Sequence, residues 1–143
     1  MILTLTVECV SGRSLEDECI RVIEIDENAC LYDLSRAVLN AVGFEQDHLF
    51  EFYIANSASP WAHKRWLSEK EEWKEREDDF FQITLSSIYP LGRKRLYYIF
   101  DWGDMWTFEV RKKRGAKKPE TDASYPRVVQ AIGSNPQQYP GYE

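Results

Sequence analysis

The sequence predicts a single-domain α+β fold, and three observations carry that prediction. The chain has 143 residues, the usual size of one domain and too short for two full ones. Its 43% hydrophobic, 29% charged and 14% aromatic residues are the composition of a packed globular chain rather than a disordered one. Its hydrophobic residues recur with period two in some segments and at helical spacing in others, so strands and helix are both present.

Met1 to Val10 alternates, with Leu3, Leu5, Val7 and Cys9 on one side and Thr4, Thr6 and Glu8 on the other, the pattern of a half-buried strand. Ser11-Gly12-Arg13-Ser14 supplies turn residues, and Cys19 to Ile25 is rich in Ile and Val. The two runs therefore predict an antiparallel hairpin with a longish loop. After Asp26-Glu27-Asn28, any of which can cap, Leu31, Leu34, Val38, Ala41 and Val42 recur at helical spacing and Gly43 is the expected stop, which predicts a helix over 29–42. His48 to Ala55 is aromatic on both faces, as suits a strand with one face on the core and the other under a loop or partner. The order strand, strand, helix, strand is β-grasp-like and can close a small sheet over one helix.

Residues 56–63 read as a loop, and 64–79 as a charged, mostly exposed helix whose narrow apolar stripe carries Trp66 and Trp73, so 56–82 forms an insertion on the domain. Thr84 to Tyr89 predicts one helical turn that packs Leu85 and Ile88 and ends at Pro90 and Gly92. Leu96 to Phe100 and Met105 to Val110 flank Asp101-Trp102-Gly103-Asp104 and read as a second hairpin. Lys113 to Ser124 is a basic, polar loop, Tyr125-Pro126 introduces the short final strand RVVQAI, and 133–143 is an irregular tail. One domain spans 1–143, with no internal repeat.

Charge is unevenly placed within the net −6. Residues 1–53 hold eleven Asp/Glu against three Arg, whereas Arg93-Lys94-Arg95 and Arg111 to Lys118 are strongly basic, so a dipolar surface is expected. No apolar run is long enough for a membrane helix, and the N-terminal stretch lacks the character of a signal peptide; the expectation is a cytoplasmic protein with no membrane partner. Cys9, Cys19 and Cys30 are an odd set without CxxC, which argues for buried thiols over disulfides or a cysteine zinc site.

Asp101 and Asp104 straddle a glycine in the second hairpin. Two close carboxylates can share a divalent metal or divide acid and base roles, but Asp and Gly are also what a tight turn needs, and the local sequence supplies no His. The two histidines, His48 and His63, lie in no nucleophilic motif, and no phosphate loop or zinc motif is present, so no catalytic residue, metal site or cofactor is assigned. Cys30, at the start of the first helix, is the best-placed nucleophilic thiol, with a buried structural thiol as the simpler reading. Arg93, Lys94 and Arg95 lie at one outer end of the second hairpin and Arg111, Lys112, Lys113, Arg114, Lys117 and Lys118 at the other. Antiparallel pairing brings these ends together, and with Tyr97, Tyr98, Trp102 and Trp106 on the same hairpin they form a candidate nucleic-acid surface. Trp61, Trp66 and Trp73 offer a protein-binding stripe if exposed.

The segment YIFDWGDMWTF, Tyr98 to Phe108, resembles the Y-x-Y-D-F-G-D-x-W-x-H signature of a plasmid-borne ORF-three-like family named from an Ri plasmid of the pRiA type, also labelled insertion-element passenger proteins of the TnpR type. The tail YPRVVQAIGSNPQQYPGYE is similar to the family's closing segment. Gly43-Phe44 followed by His48-Leu49-Phe50-Glu51-Phe52 is similar to its early one, and 56–82 matches least. The resemblance implies a small α+β domain with a β-grasp-like start, often near mobile elements, with no established activity. The TnpR label suggests a resolvase, but no serine-recombinase motif is present. The family's His falls at Phe108 and its acidic-Cys-Gly-Gly motif at Gln137-Gln138-Tyr139-Pro140, so a metal or catalytic role built on those positions does not carry over. Asp101, Gly103, Asp104 and Trp106 match and, with Trp102, are the candidate site. The expected function is a non-catalytic protein-binding or adaptor module. The alternatives are a nucleic-acid-binding accessory of a mobile element and a metal-dependent enzyme centred on Asp101 and Asp104. The partner's identity and the oligomeric state are left open.

Overall fold

The computed structural model describes residues 1–68 and 79–140. Strands β1 (Ile2–Ser11), β2 (Ile20–Asp26), β3 (Phe50–Ala55), β4 (Arg65–Trp66), β5 (Arg95–Phe100), β6 (Trp106–Lys112) and β7 (Arg127–Ile132) join in one seven-stranded sheet of order β4-β3-β5-β6-β1-β2-β7. Every pairing is antiparallel. Helices α1 (Leu31–Val42) and α2 (Leu85–Ile88) are short.

The alternation in β1 is what fixes its orientation. Leu3, Leu5, Val7 and Cys9 are buried while Thr4, Thr6 and Glu8 are part-exposed, and a slip of one residue would turn the whole apolar set outward. Against that face α1 lays Leu31, Leu34, Val38 and Val42, with Phe44 packed edge-on to Trp106 at 4.9 Å between ring centroids. Each such fully buried side chain contributes roughly 1.5–3 kcal/mol. One polar group enters this layer satisfied: Ser35 on α1 hydrogen-bonds Tyr98 on β5 at 2.6 Å.

Helix α1 ends at Gly43 as expected, at φ 72°, where glycine avoids the left-handed penalty. Its start differs from expectation. The N-cap is Cys30, not Asp26, Glu27 or Asn28, because Asp33 one turn on accepts hydrogen bonds from the Cys30 backbone N–H at 3.1 Å and from its thiol at 3.3 Å. Asp26 instead accepts from the Asn28 N–H at 2.8 Å and closes the preceding turn.

The expected helix over 64–79 does not begin at 64. Arg65 and Trp66 form β4, pairing with Ile54 and Tyr53, and the Trp66 ring lies 5.1 Å from that of Tyr53. A cross-strand aromatic pair outweighs the helix preference of the charged run at this point. Residues 79–82 are helical, and the rest of that expected helix, including Trp73, lies outside the described residues. Tyr53, Ala55, Tyr97 and Ile99 bury the opposite face of β3 and β5 with Ala62 over them, which accounts for strands apolar on both sides.

β7 is an edge strand with Val128, Val129 and Ile132 exposed. Its far end is held by the buried Arg21, whose guanidinium donates to the carbonyls of Ala41, Ile20 and Ile132 and to Asn135 Oδ1. The sheet also folds the expected charge separation onto itself: Glu24 pairs with Lys117 and Arg127, Glu8 with Arg111, and Arg13 with Asp104. Among the described residues no helix is long and apolar enough to cross a membrane.

Candidate functional site

Asp101 sits where β5 turns into β6, at φ 63°, and is 7% exposed. Its backbone donates to Leu49 O at 2.9 Å and accepts from the Met105 N–H at 2.6 Å. One carboxylate oxygen, Oδ1, accepts the N–H of Gly103 at 3.1 Å and of Asp104 at 3.4 Å, an Asp-stabilised turn in which the side chain substitutes for missing backbone bonds. Asp104 turns away to Arg13 at 3.5 Å. The two carboxylates are thus separately employed, and among the described residues no group of three His, Cys, Asp or Glu is placed to hold a metal ion. Trp106, expected to face a partner, is instead fully buried against Phe44 and against Gly12, where a Cβ would collide with its ring. Trp102 is 41% exposed and lies 5.9 Å from the equally exposed Trp66. Trp61 is almost wholly exposed on its loop.

The histidine missing from the local sequence arrives from the loop just before β3. His48 Nε2 lies 3.4 Å from the second Asp101 oxygen, 3.6 Å from Asp47 and 2.6 Å from the Tyr139 hydroxyl, which also bonds Asp47 at 2.6 Å. A hydroxyl that donates to Asp47 accepts from His48, which puts a proton on Nε2. The Asp47 carboxylate holds the Tyr139 hydroxyl well above the usual phenol range. Gln138, buried unlike Asp47, His48 and Tyr139, exchanges hydrogen bonds with the backbone of Glu45 at 2.7 and 3.1 Å. These contacts dock the tail. The sequence signal was absent because the β3–β5 register, which continues past Phe50↔Phe100 into the Leu49–Asp101 bond, is a pairing between distant segments. A cleft of about 180 Å³ beside His48, lined also by Tyr32, Arg36, Gln46 and Phe100, is smaller than the roughly 300 Å³ at which small-molecule sites begin.

The basic ends of the second hairpin do come together. Lys94, Arg95, Arg111, Lys112 and Arg114 line one groove of about 760 Å³ whose other wall is Tyr89, Pro90, Leu91 and Gly92. The other expected members do not join it: Arg93, Lys113 and Lys118 are exposed but outside the groove lining, and Lys117 is bound to Glu24 and Glu120. The rings expected beside these cations are elsewhere. Tyr97, Tyr98 and Trp106 are fully buried, and Trp102 stands at the far, turn end of the hairpin. Cys30 is no activated nucleophile, since burial raises its thiol pKa and outweighs its place at a helix start.

A family model described as "Plasmid pRiA4b ORF-3-like protein" matches residues 4–141. The chain belongs to that family. No curated protein matches it. Among solved structures it is similar to a protein of unknown function, MM3350, from Methanosarcina mazei Go1, at a TM-score of 0.66 and 22% identity over 94% of this chain and 70% of that one. That likeness shows a shared fold. In this member of the plasmid pRiA4b ORF-3-like family the aspartate-glycine-aspartate turn is thus a built device: Asp101 fixes the loop, Trp106 anchors it from inside and Trp102 is carried on its outer surface.

Proposed function

We propose that the chain is a non-catalytic binding domain whose contact surface is built around the Asp101 turn. The carrying observation is the apolar patch that the turn displays: Trp102, Met105, the adjoining Leu49 and the neighbouring Trp66 are all exposed, on a loop whose backbone is held from both sides. A large ring presented on a rigid loop loses little entropy on binding, which is why tryptophan dominates protein hot spots. The reading draws further support from His48, whose Nε2 is tied to the Tyr139 hydroxyl at 2.6 Å. The partner is a protein surface with an apolar side chain to set against the paired rings of Trp66 and Trp102. The α+β class, the β-grasp-like start and a cytoplasmic setting belong to the same proposal, the fold supported by the strand, strand, helix, strand order and the mobile-element association by the family's plasmid description. The test is affinity capture with wild type, Trp102→Ala and Lys94→Ala. A partner retained by wild type and Lys94→Ala and lost by Trp102→Ala is expected, and equal recovery by all three would sink the proposal.

A further inference from the structure

We propose that the groove between the outer ends of β5 and β6 and the Tyr89–Gly92 segment binds a discrete ligand carrying two or more phosphate groups, of the nucleoside di- or triphosphate kind. On a protein of net charge −6, the described residues lining this groove include five cationic side chains, Lys94, Arg95, Arg111, Lys112 and Arg114, and no carboxylate. Such a concentration of like charge is held together from below. The β5–β6 register pairs Leu96 with Val110, and carried one step outward it sets Arg95 opposite Arg111, a repulsive placement on its own. Glu109, 6% exposed, lies beneath the two: its Oε1 accepts from Arg95 at 2.8 Å and also from Arg111, while Tyr97 donates to Oε2 at 2.9 Å. Arg111 reaches Glu8 as well, at 3.1 Å.

The consequence is a pair of guanidiniums fixed in place from behind, each spending only its Nη1 atom on these bonds. A guanidinium fork so oriented is suited to bidentate phosphate binding. Lys112 donates to the carbonyls of Lys113 and Gly115 and so steadies the loop that carries Arg114. Counting Glu109 and Glu8 against the five cations leaves an excess of three positive charges, which matches a di- or triphosphate rather than a single carboxylate. At about 760 Å³ the groove is far larger than an inorganic anion and falls within the roughly 300–1,000 Å³ range of small-molecule sites. Pro90, Leu91 and Val110 in its lining give an apolar surface for the rest of the ligand.

A nucleic-acid strand is the competing occupant, and the observations favour the discrete ligand. Strand binding without base readout uses a row of rings beside the cations, and here Tyr89 is the single, part-buried ring among the described lining residues, Tyr97, Tyr98 and Trp106 are buried, and Trp102 lies roughly 20 Å away along the hairpin, at about 3.4 Å per residue.

The test is calorimetric titration of the full chain with ATP, inorganic tripolyphosphate, adenosine and a twelve-nucleotide single-stranded DNA, at low and physiological salt. Lys94→Glu/Arg114→Glu is the variant, because both side chains are exposed and outside the Glu109 network. The expected result is saturable binding of ATP and tripolyphosphate, none of adenosine, and at least a tenfold loss in the variant at an unchanged melting temperature of the free protein. Absence of ATP and tripolyphosphate binding at low salt would overturn the proposal. So would binding undiminished in the variant, or a DNA strand that binds more tightly than ATP at both salt concentrations.

Discussion

Replacing Asp101 separates what its backbone does from what its carboxylate does. At φ 63° an alanine suffers the left-handed penalty of roughly 1–2 kcal/mol that aspartate eases by local hydrogen bonding. Asp101→Ala also loses the bond from the Gly103 N–H at 3.1 Å, and bonds to a charged group are worth about 1.5–3 kcal/mol. The bond from Asp104 at 3.4 Å is long and adds little. The sum is a loss of about 2.5–5 kcal/mol. Asp101→Gly loses the same bond but relieves the backbone, so it should be about 1 kcal/mol more stable than Asp101→Ala. Asp101→Asn keeps an oxygen for Gly103 but makes that bond neutral and gives up the charge facing His48, a cost of about 1–2 kcal/mol. Urea unfolding followed by circular dichroism should therefore rank wild type, Asn, Gly, Ala in falling order at constant m-value. Asp101→Ala within about 0.5 kcal/mol of wild type, or Asp101→Gly less stable than Asp101→Ala, would refute the reasoning that the carboxylate serves the turn.

Four further outcomes follow from the same geometry. Ser35→Ala and Tyr98→Phe should each cost about 1–3 kcal/mol by stranding a buried partner, and the double variant less than their sum; strict additivity in urea melts would exclude the bond. Gly12→Ala should cost about 1–3 kcal/mol or more, because the new Cβ drives into the buried Trp106 ring, and a wild-type thermal midpoint would contradict that packing. For Glu109, burial pushes the carboxyl up, but the hydrogen bonds from Arg111 and Tyr97 and the Arg95 charge outweigh it and hold the group below its usual range; Glu24 is held low by Lys117 first and Arg127 second. Their folded pKa values lie below the unfolded ones, so the stability they contribute is whole above about pH 4.3 and lost as pH falls through the folded values. Glu109→Gln should lose less stability than wild type between pH 5 and pH 3, roughly the window in which carboxylates protonate, and parallel pH curves for the two proteins would refute the pairing. Burial pushes the Cys9 thiol up to about 12 and raises those of Cys19 and Cys30, so a thiol reagent near neutral pH should label all three only after denaturation; a fast native phase at Cys30 would contradict this.

How much of this was legible in the sequence depends on whether the signal is local. β1 shows its burial because one face is wet, and α1 shows its length because Gly43 ends it in the left-handed conformation. Trp106 was readable too: it shares the parity of Phe108 and Val110, which puts all three on the core face of β6, while Trp102 in the turn escapes. β4 is two residues long and has no period to detect. His48 beside Asp101, Gln138 against Glu45 and Glu109 beneath Arg95 and Arg111 depend on which strands become neighbours and in what register, a choice made by the whole apolar pattern at once. The N-cap was missed because the Asp33 carboxylate makes a cysteine serviceable at a position where Ser, Thr, Asp and Asn are the usual residues.

The central claim, that the Asp101 turn displays Trp102 to a protein partner, is tested most directly by placing a photocrosslinking residue at position 49, beside that turn, in the full chain within its source cell, with position 129 on the β7 edge as the comparison. The account predicts a discrete protein adduct from position 49, a second copy of the chain included, that Trp102→Ala weakens and that position 129 does not give. No adduct at 49, or the same adduct at both positions, would contradict it.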